Sequence, residues 1–208
     1  MTEKATNDKM LDIAHISFLE MIELFIKTLG AAQAKGALMR SAISTAESFP
    51  EAKFESMQDF VAAIEDLRSP IAQVEGKAVH LGDGLFGLPR CPFGGSIKNF
   101  VAVRGKLPES FAKVAEDFNK PGAVTSKYRV GQGAGVSPFC AIHQPLRSAL
   151  GLRVSIGGKS VSVYQLGCKS GNGTKAIAED LCKAAGRTPD EVKKVLDDNM
   201  CCYQLRLE

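Results

Sequence analysis

The stretch Leu152–Gly167, LRVSIGGKSVSVYQLG, decides the fold class. Apolar and polar residues alternate on both sides of Gly157-Gly158, the pattern of half-buried strands whose successive side chains face opposite ways. A Gly-Gly pair supplies the backbone freedom that a tight two-residue turn needs. The stretch therefore predicts a β-hairpin. Gly167 to Gly173 reads as the loop after it. Two helices are expected next, about Thr174–Ala185 and Pro189–Asp198, the second opened by a capping box from Thr188 to Glu191. The chain closes on CCYQLRLE, Cys201–Glu208, a strand expected to join the same sheet.

Upstream, SPFCAIHQPLRSALG, Ser137–Gly151, reads as a helix with Ser137 as N-cap, Pro138 at its first position and Gly151 just past its end. Pro145 inside it predicts a kink or a break. The glycine-rich Val130–Val136 before it reads as a flexible loop. A short helix is expected after Pro108, and a strand over Ile97–Gly105. The segment Gly82–Ser96 is rich in turn residues and reads as a loop or irregular strand. Ile71–Gly82 reads as a strand, a turn at Gly76 and a second strand.

The first third is helical in pattern. Thr6 or Asn7 is expected to cap a helix running to Leu29, stopped by Gly30. Its apolar residues follow a 3.6-residue period, but Ile13 and Leu24, among others, widen the stripe beyond one face. Such a helix is central to the fold or covered by a second subunit. A second helix is expected over Ala31–Ser48, and a third from Ser56, with Asp59 completing a capping box, to about Leu67. The expected class is α+β: N-terminal helices, then an antiparallel sheet with helices packed on one side. Residues 1–69 are expected to form a helical packing and dimerisation region, and residues 70–208 the α+β ligand-binding region, together one compact unit.

The 208 residues carry a formal net charge of +3, with the basic residues spread along the chain. No basic cluster and no tryptophan favour a nucleic-acid partner. The N-terminus lacks the pattern of a secretory signal, and the run Met10–Leu29 is broken by Asp12, Glu20, Glu23 and Lys27, so no membrane span is expected. A cytoplasmic location is expected, where the 6 cysteines remain thiols.

Candidate chemistry centres on Cys140. At the third helical position, backbone N–H groups and the helix dipole favour a thiolate. His143 and Gln144 fall on its face, and Arg147 follows one turn after His143. One reading makes Cys140 and His143 catalytic, as nucleophile and base of a cysteine-dependent hydrolase or thiol-transfer enzyme. The other makes Cys140 a small core residue. Cys91-Pro92 offers a thiolate that could ligate haem iron, or a cysteine in a turn. Cys91, Cys140, His143, Cys168 and Cys201 or Cys202 include metal-ligand types, but no Cys-x-x-Cys pair exists and no metal is assigned. Cys201 and Cys202 should face opposite sides of the last strand. His15 reads as a core group; the role of His80 is open.

The order of features from Cys91 onward resembles the 4-vinyl reductase family of small-molecule-binding domains. The matching pieces are Cys91-Pro92, the helix Pro138–Gly151 with Cys140, the segment Val154–Gly173, and the terminal strand with Cys201 and Cys202. This resemblance implies an α+β fold around a mainly apolar pocket for hydrocarbon, tetrapyrrole-like or other small ligands. It also implies a sensory role and a homodimer formed through the N-terminal helices. The expected function is therefore small-molecule binding or sensing in a Cys/His-lined pocket, with Cys91, Phe93, Phe139, Gln144, Arg147 and Cys168 as ligand-binding residues. A cysteine-dependent enzyme and a thiolate metal or haem protein stand as alternatives. No cofactor is assigned.

Overall fold

The computed structural model of the chain describes residues 3–90, 146–169 and 175–208. The expected strand Ile97–Gly105, the helix after Pro108, the glycine loop, the Ser137 cap and the Pro145 kink lie outside the described residues.

The N-terminal helices form a hairpin. Helix α1 spans Glu3–Leu29 and α2 spans Ala31–Glu47, separated by Gly30 at φ 79°. Helix α1 starts before Thr6 and Asn7, so neither is its cap. Strand β1, Ala52–Phe54, follows; three residues are too few to show a period, and the sequence did not predict it. Helix α3, Met57–Glu65, opens with the expected box: the Asp59 amide donates to Ser56 Oγ, and the Ser56 amide donates to the Asp59 carboxylate at 3.1 Å.

The predicted strand after Pro70 is instead helix α4, Pro70–Glu75. Pro70 occupies its first turn and Gly76, at φ 87°, ends it. Both are helix-boundary residues, and they outweigh the β-branched character of the segment. Strands β2, Val79–Gly82, and β3, Leu85–Leu88, then form a hairpin about Asp83-Gly84, with φ 48° and 71°. The segment read as a loop or irregular strand holds a strand over Leu85–Leu88. An Asp-Gly pair between apolar residues was the available signal.

After the undescribed stretch, residues 146–152 are helical (α5). Gly151 lies inside this helix rather than past its end. A Cβ there would stand 2.6 Å from the Val161 carbonyl oxygen, so glycine permits the close approach of α5 to the sheet. The hairpin that decides the fold class forms as predicted. Strand β4, Val154–Ile156, and β5, Lys159–Cys168, meet at Gly157 (φ 55°) and Gly158 (φ 77°). A two-residue strand β6, Ala176–Ile177, precedes helix α6, Glu179–Ala185. Helix α7, Pro189–Asp197, has the expected Thr188–Glu191 box, and β7 spans Cys201–Leu207.

The sheet runs in the order β1-β4-β5-β7-β3-β2, with β6 attached to β5. Every pairing is antiparallel except β1 with β4. Helices cover both faces, not one. On the first face Phe60 and Ile64 of α3, Ile71 and Ala72 of α4, and Ala149 and Leu150 of α5 pack with Phe86, Val161, Tyr203 and Leu205. On the second, Cys182, Val192, Val195 and Leu196 of α6 and α7 pack with Tyr164, Leu166 and Cys202. A two-sided core demands two helical layers because each apolar sheet face must be removed from water.

Arg187 ties the second layer to the sheet. It donates to Gln204 Oε1 (2.6 Å), the Asp83 carbonyl (2.7 Å) and Glu191 Oε1 (3.2 Å). Gln204 Nε2 also donates to the Asp83 carbonyl at 2.8 Å. One side chain thereby joins the start of α7, the centre of β7 and the β2–β3 turn.

Two substitutions test this packing. Gly151→Ala places its Cβ against backbone that cannot rotate away, and about 1–3 kcal/mol of stability should be lost. Thr188→Ala removes the α7 cap and should cost about 1 kcal/mol. Urea unfolding should show lower midpoints at an unchanged denaturant slope; a Gly151→Ala protein as stable as the parent would contradict the α5–β5 contact.

Candidate functional site

On the first face of the sheet the packing leaves a hollow. Its walls are Ile64, Ile71, Ala72, Gly76, Ala78, Phe86, Leu88, Arg147, Val163, Tyr203 and Leu205. The empty space between these walls is about 450 Å³, part of it open to solvent. Three layers of the sequence meet here: α3 and α4, both β-hairpins, and α5.

The local sequence explains the wall. Val163 and Tyr203 come from the two central strands, and Leu205 continues the same face of β7 two residues on. Phe86 stacks edge-on to Phe60, ring centres 6.2 Å apart, which fixes one side of the hollow. Helix α4, missed in the sequence, contributes Ile71 and Ala72, and Gly76 ends it at the rim.

Arg147 is the polar exception. It is 1% exposed, in a wall whose other described residues are apolar or aromatic. A guanidinium stays protonated, so its burial must be offset by directed contacts. Nη1 donates to Gln165 Oε1 at 2.8 Å, and its central carbon lies 5.2 Å from the centre of the Tyr203 ring. Gln165, 0% exposed, stands directly opposite Tyr203 in the β5–β7 register. Its Oε1 faces Arg147, so its Nε2 must point elsewhere, and there it has no hydrogen-bond partner. A buried amide N–H without an acceptor costs about 1–3 kcal/mol.

Of the residues expected to bind a ligand, Arg147 lines the hollow. Cys168 is buried in the core around it but is not among the lining residues. Cys91, Phe93, Phe139, Cys140, His143 and Gln144 lie outside the described residues. Among the described lining residues there is no cysteine and no histidine. His80 sits on β2 with its ring 4.9 Å from that of Phe86, and its buried Nε2 has no partner. Gln165 escaped the sequence reading. A glutamine in an otherwise apolar run of β5 was the one available signal.

Cys201 and Cys202 face opposite ways, as predicted: Cys201 joins the first core and Cys202 the second. Burial pushes the Cys202 thiol up to about 12, with nearby Cys182 adding to the effect. The Cys182 thiol is also raised, chiefly by burial. Such thiols stay protonated and unreactive. Among the described residues, no group of three or more His, Cys, Asp and Glu is arranged to hold a metal ion. Among them also, no helix is long and apolar enough to cross a membrane.

Comparisons of the chain with family models, with curated proteins and with solved structures found no match. The reading of the site therefore stands on its geometry.

Cys202 gives a direct check. At about pH 8 only on the order of one molecule in ten thousand carries this thiolate, so iodoacetamide should leave Cys202 unmodified in the native protein and modify it in guanidinium chloride, as mapped by mass spectrometry. The unfolded thiol ionises near 9.0 and the folded one only near 12, so the unfolded state gains as pH rises through that window. Stability should fall there, and less steeply in Cys202→Ala.

Proposed function

We propose that the protein binds a small, largely apolar molecule in the hollow between α3, α4, α5 and the first face of the sheet. The observation that carries this reading is the wall itself. Ten of its eleven described residues present apolar side chains or glycine or tyrosine surface, and the other is the buried Arg147. Ligand sites combine a mainly apolar wall with a few placed polar groups. The resemblance of the chain to 4-vinyl reductase-like binding domains supports the same class of ligand. A sensory use follows if binding changes how the N-terminal helices associate.

The neutral dye N-phenyl-1-naphthylamine suits the test, because it fluoresces when removed from water. It should bind saturably at one site per chain. Val163→Trp, which fills the hollow from β5, should abolish the signal while leaving the far-ultraviolet circular dichroism intact. Absence of saturable binding to the parent protein, or undiminished binding to a folded Val163→Trp, would refute the reading.

The occupant we propose for the outer face of α1 is a second copy of the chain. Ile13 is 64% exposed and Leu24 61%, and Phe18, Met21 and Leu29 are also exposed. These residues span roughly 160° of the helix circumference at 100° per residue. A helix pairing with its own copy about a two-fold axis covers such a face with the same residues from each side. Light scattering after size exclusion should give the dimer mass for the parent protein and the monomer mass for the double variant Ile13→Glu, Leu24→Glu. A parent protein that is monomeric at micromolar concentration would exclude the dimer.

A further inference from the structure

We infer that Cys168 and Cys201 are a redox site, a thiol pair that a peroxide closes into a disulfide across the end of the β5–β7 ladder. The register places them. Gly167 of β5 stands opposite Cys202 of β7, so the next step along these antiparallel strands sets Cys168 opposite Cys201. The faces agree with that step. A Cβ on Gly167 would meet Val192 and Leu196, and Cys202 packs in the same α6–α7 core. Cys168 and Cys201 both turn the other way, into the first core. The irregularity between Gln165 and Gly167 creates the match. With unbroken pairing from Gln165 opposite Tyr203, Gly167 rather than Cys168 would stand opposite Cys201.

Residues directly opposite on antiparallel strands have Cα atoms about 4.5 or 5.5 Å apart. A disulfide spans Cα separations of about 4.4–6.8 Å. The bond therefore forms with little movement of the backbone. The other two described cysteines have no such cross-strand thiol. Cys202 has Gly167 of β5 on one side and Gly87 of β3 on the other, and Cys182 lies on α6.

Both thiols are 2% exposed, so reaction waits on local opening. Cys168 is the last residue of β5 and Cys201 the first of β7, and the end of a ladder opens more readily than its middle. One thiolate then attacks a peroxide oxygen. The O–O bond breaks, water leaves, and a sulfenic acid remains. The second thiolate attacks that sulfur, the S–O bond breaks, the S–S bond forms and a second water leaves. Two thiols and one hydrogen peroxide thus give one disulfide and two waters, with two electrons passing from sulfur to oxygen. The bond encloses the segment between the two cysteines, with β6, α6 and α7, and constrains the unfolded chain there.

The native protein treated with hydrogen peroxide, alkylated and digested with trypsin without reduction should yield the peptide Ser160–Lys169 cross-linked to Val195–Arg206. Dithiothreitol should separate the two. Fragmentation between Cys201 and Cys202 assigns the bond in the parent protein, with no variant needed. The cross-link should persist in Cys202→Ala and be lost in Cys201→Ala. The urea midpoint of the oxidised parent should exceed that of the reduced one, and the difference should vanish in Cys168→Ala. Absence of the Cys168–Cys201 bond from the native protein overturns the inference, whether the thiols stay untouched, pass to sulfinic acid or bond to another cysteine. A cross-link that forms only in guanidinium chloride overturns it as well.

Discussion

The pairing of β5 with β7 is the contact on which the rest of the structure depends. Six register pairs, from Val161 opposite Leu207 to Gly167 opposite Cys202, join the β4–β5 hairpin to the last strand of the chain. On its other side β7 pairs with β3, and so brings in the β2–β3 hairpin. Among the described strands, β7 is the link between the two halves of the sheet. Its two halves are far apart in sequence, so a costly loop closure precedes the favourable contacts. Arg187 bears on the same point, because it holds the β2–β3 turn and Gln204 of β7 from the start of α7.

Because both faces of this ladder are buried, its register is strongly specified; a slip of one residue would exchange the two cores. An irregularity between Gln165 and Gly167 alters the alternation within β5 itself. Tyr164 and Leu166 face the α6–α7 layer, whereas Cys168 belongs to the first core. Strict alternation would have put Cys168 with Tyr164. A bulge of this kind re-aims side chains at the cost of one unpaired residue. It breaks the alternation after Gln165, beside Arg147.

The hollow is where the first core fails to close, and the same elements explain its charge. Helix α5 can approach the sheet only because Gly151 has no side chain against Val161. That approach carries Arg147, four residues earlier and one turn away, under the sheet rather than into solvent. There the guanidinium meets Gln165 of β5 and the Tyr203 ring of β7.

Much of the fold was legible in the sequence because it rests on local physics. The Gly157-Gly158 hairpin, the two capping boxes and the α+β class follow from turn chemistry, hydrogen bonding of helix ends and the two-residue period of β5 and β7. The helix at Pro70 and the Asp83-Gly84 turn carried signals of the same kind that the neighbouring apolar residues obscured. Strand β1 carried none, since three residues become a strand only when β4 is present to pair with them. The site divides in the same way. The sequence placed Arg147 on a helix and Cys201 and Cys202 on opposite faces, because helix and strand periods are local. Only the tertiary structure set Gln165 beside Arg147, eighteen residues away, and put Ile71 and Leu205 on one wall. Those neighbours are chosen by the register of β5 on β7 and the docking of three helices, which depend on the whole core closing at once.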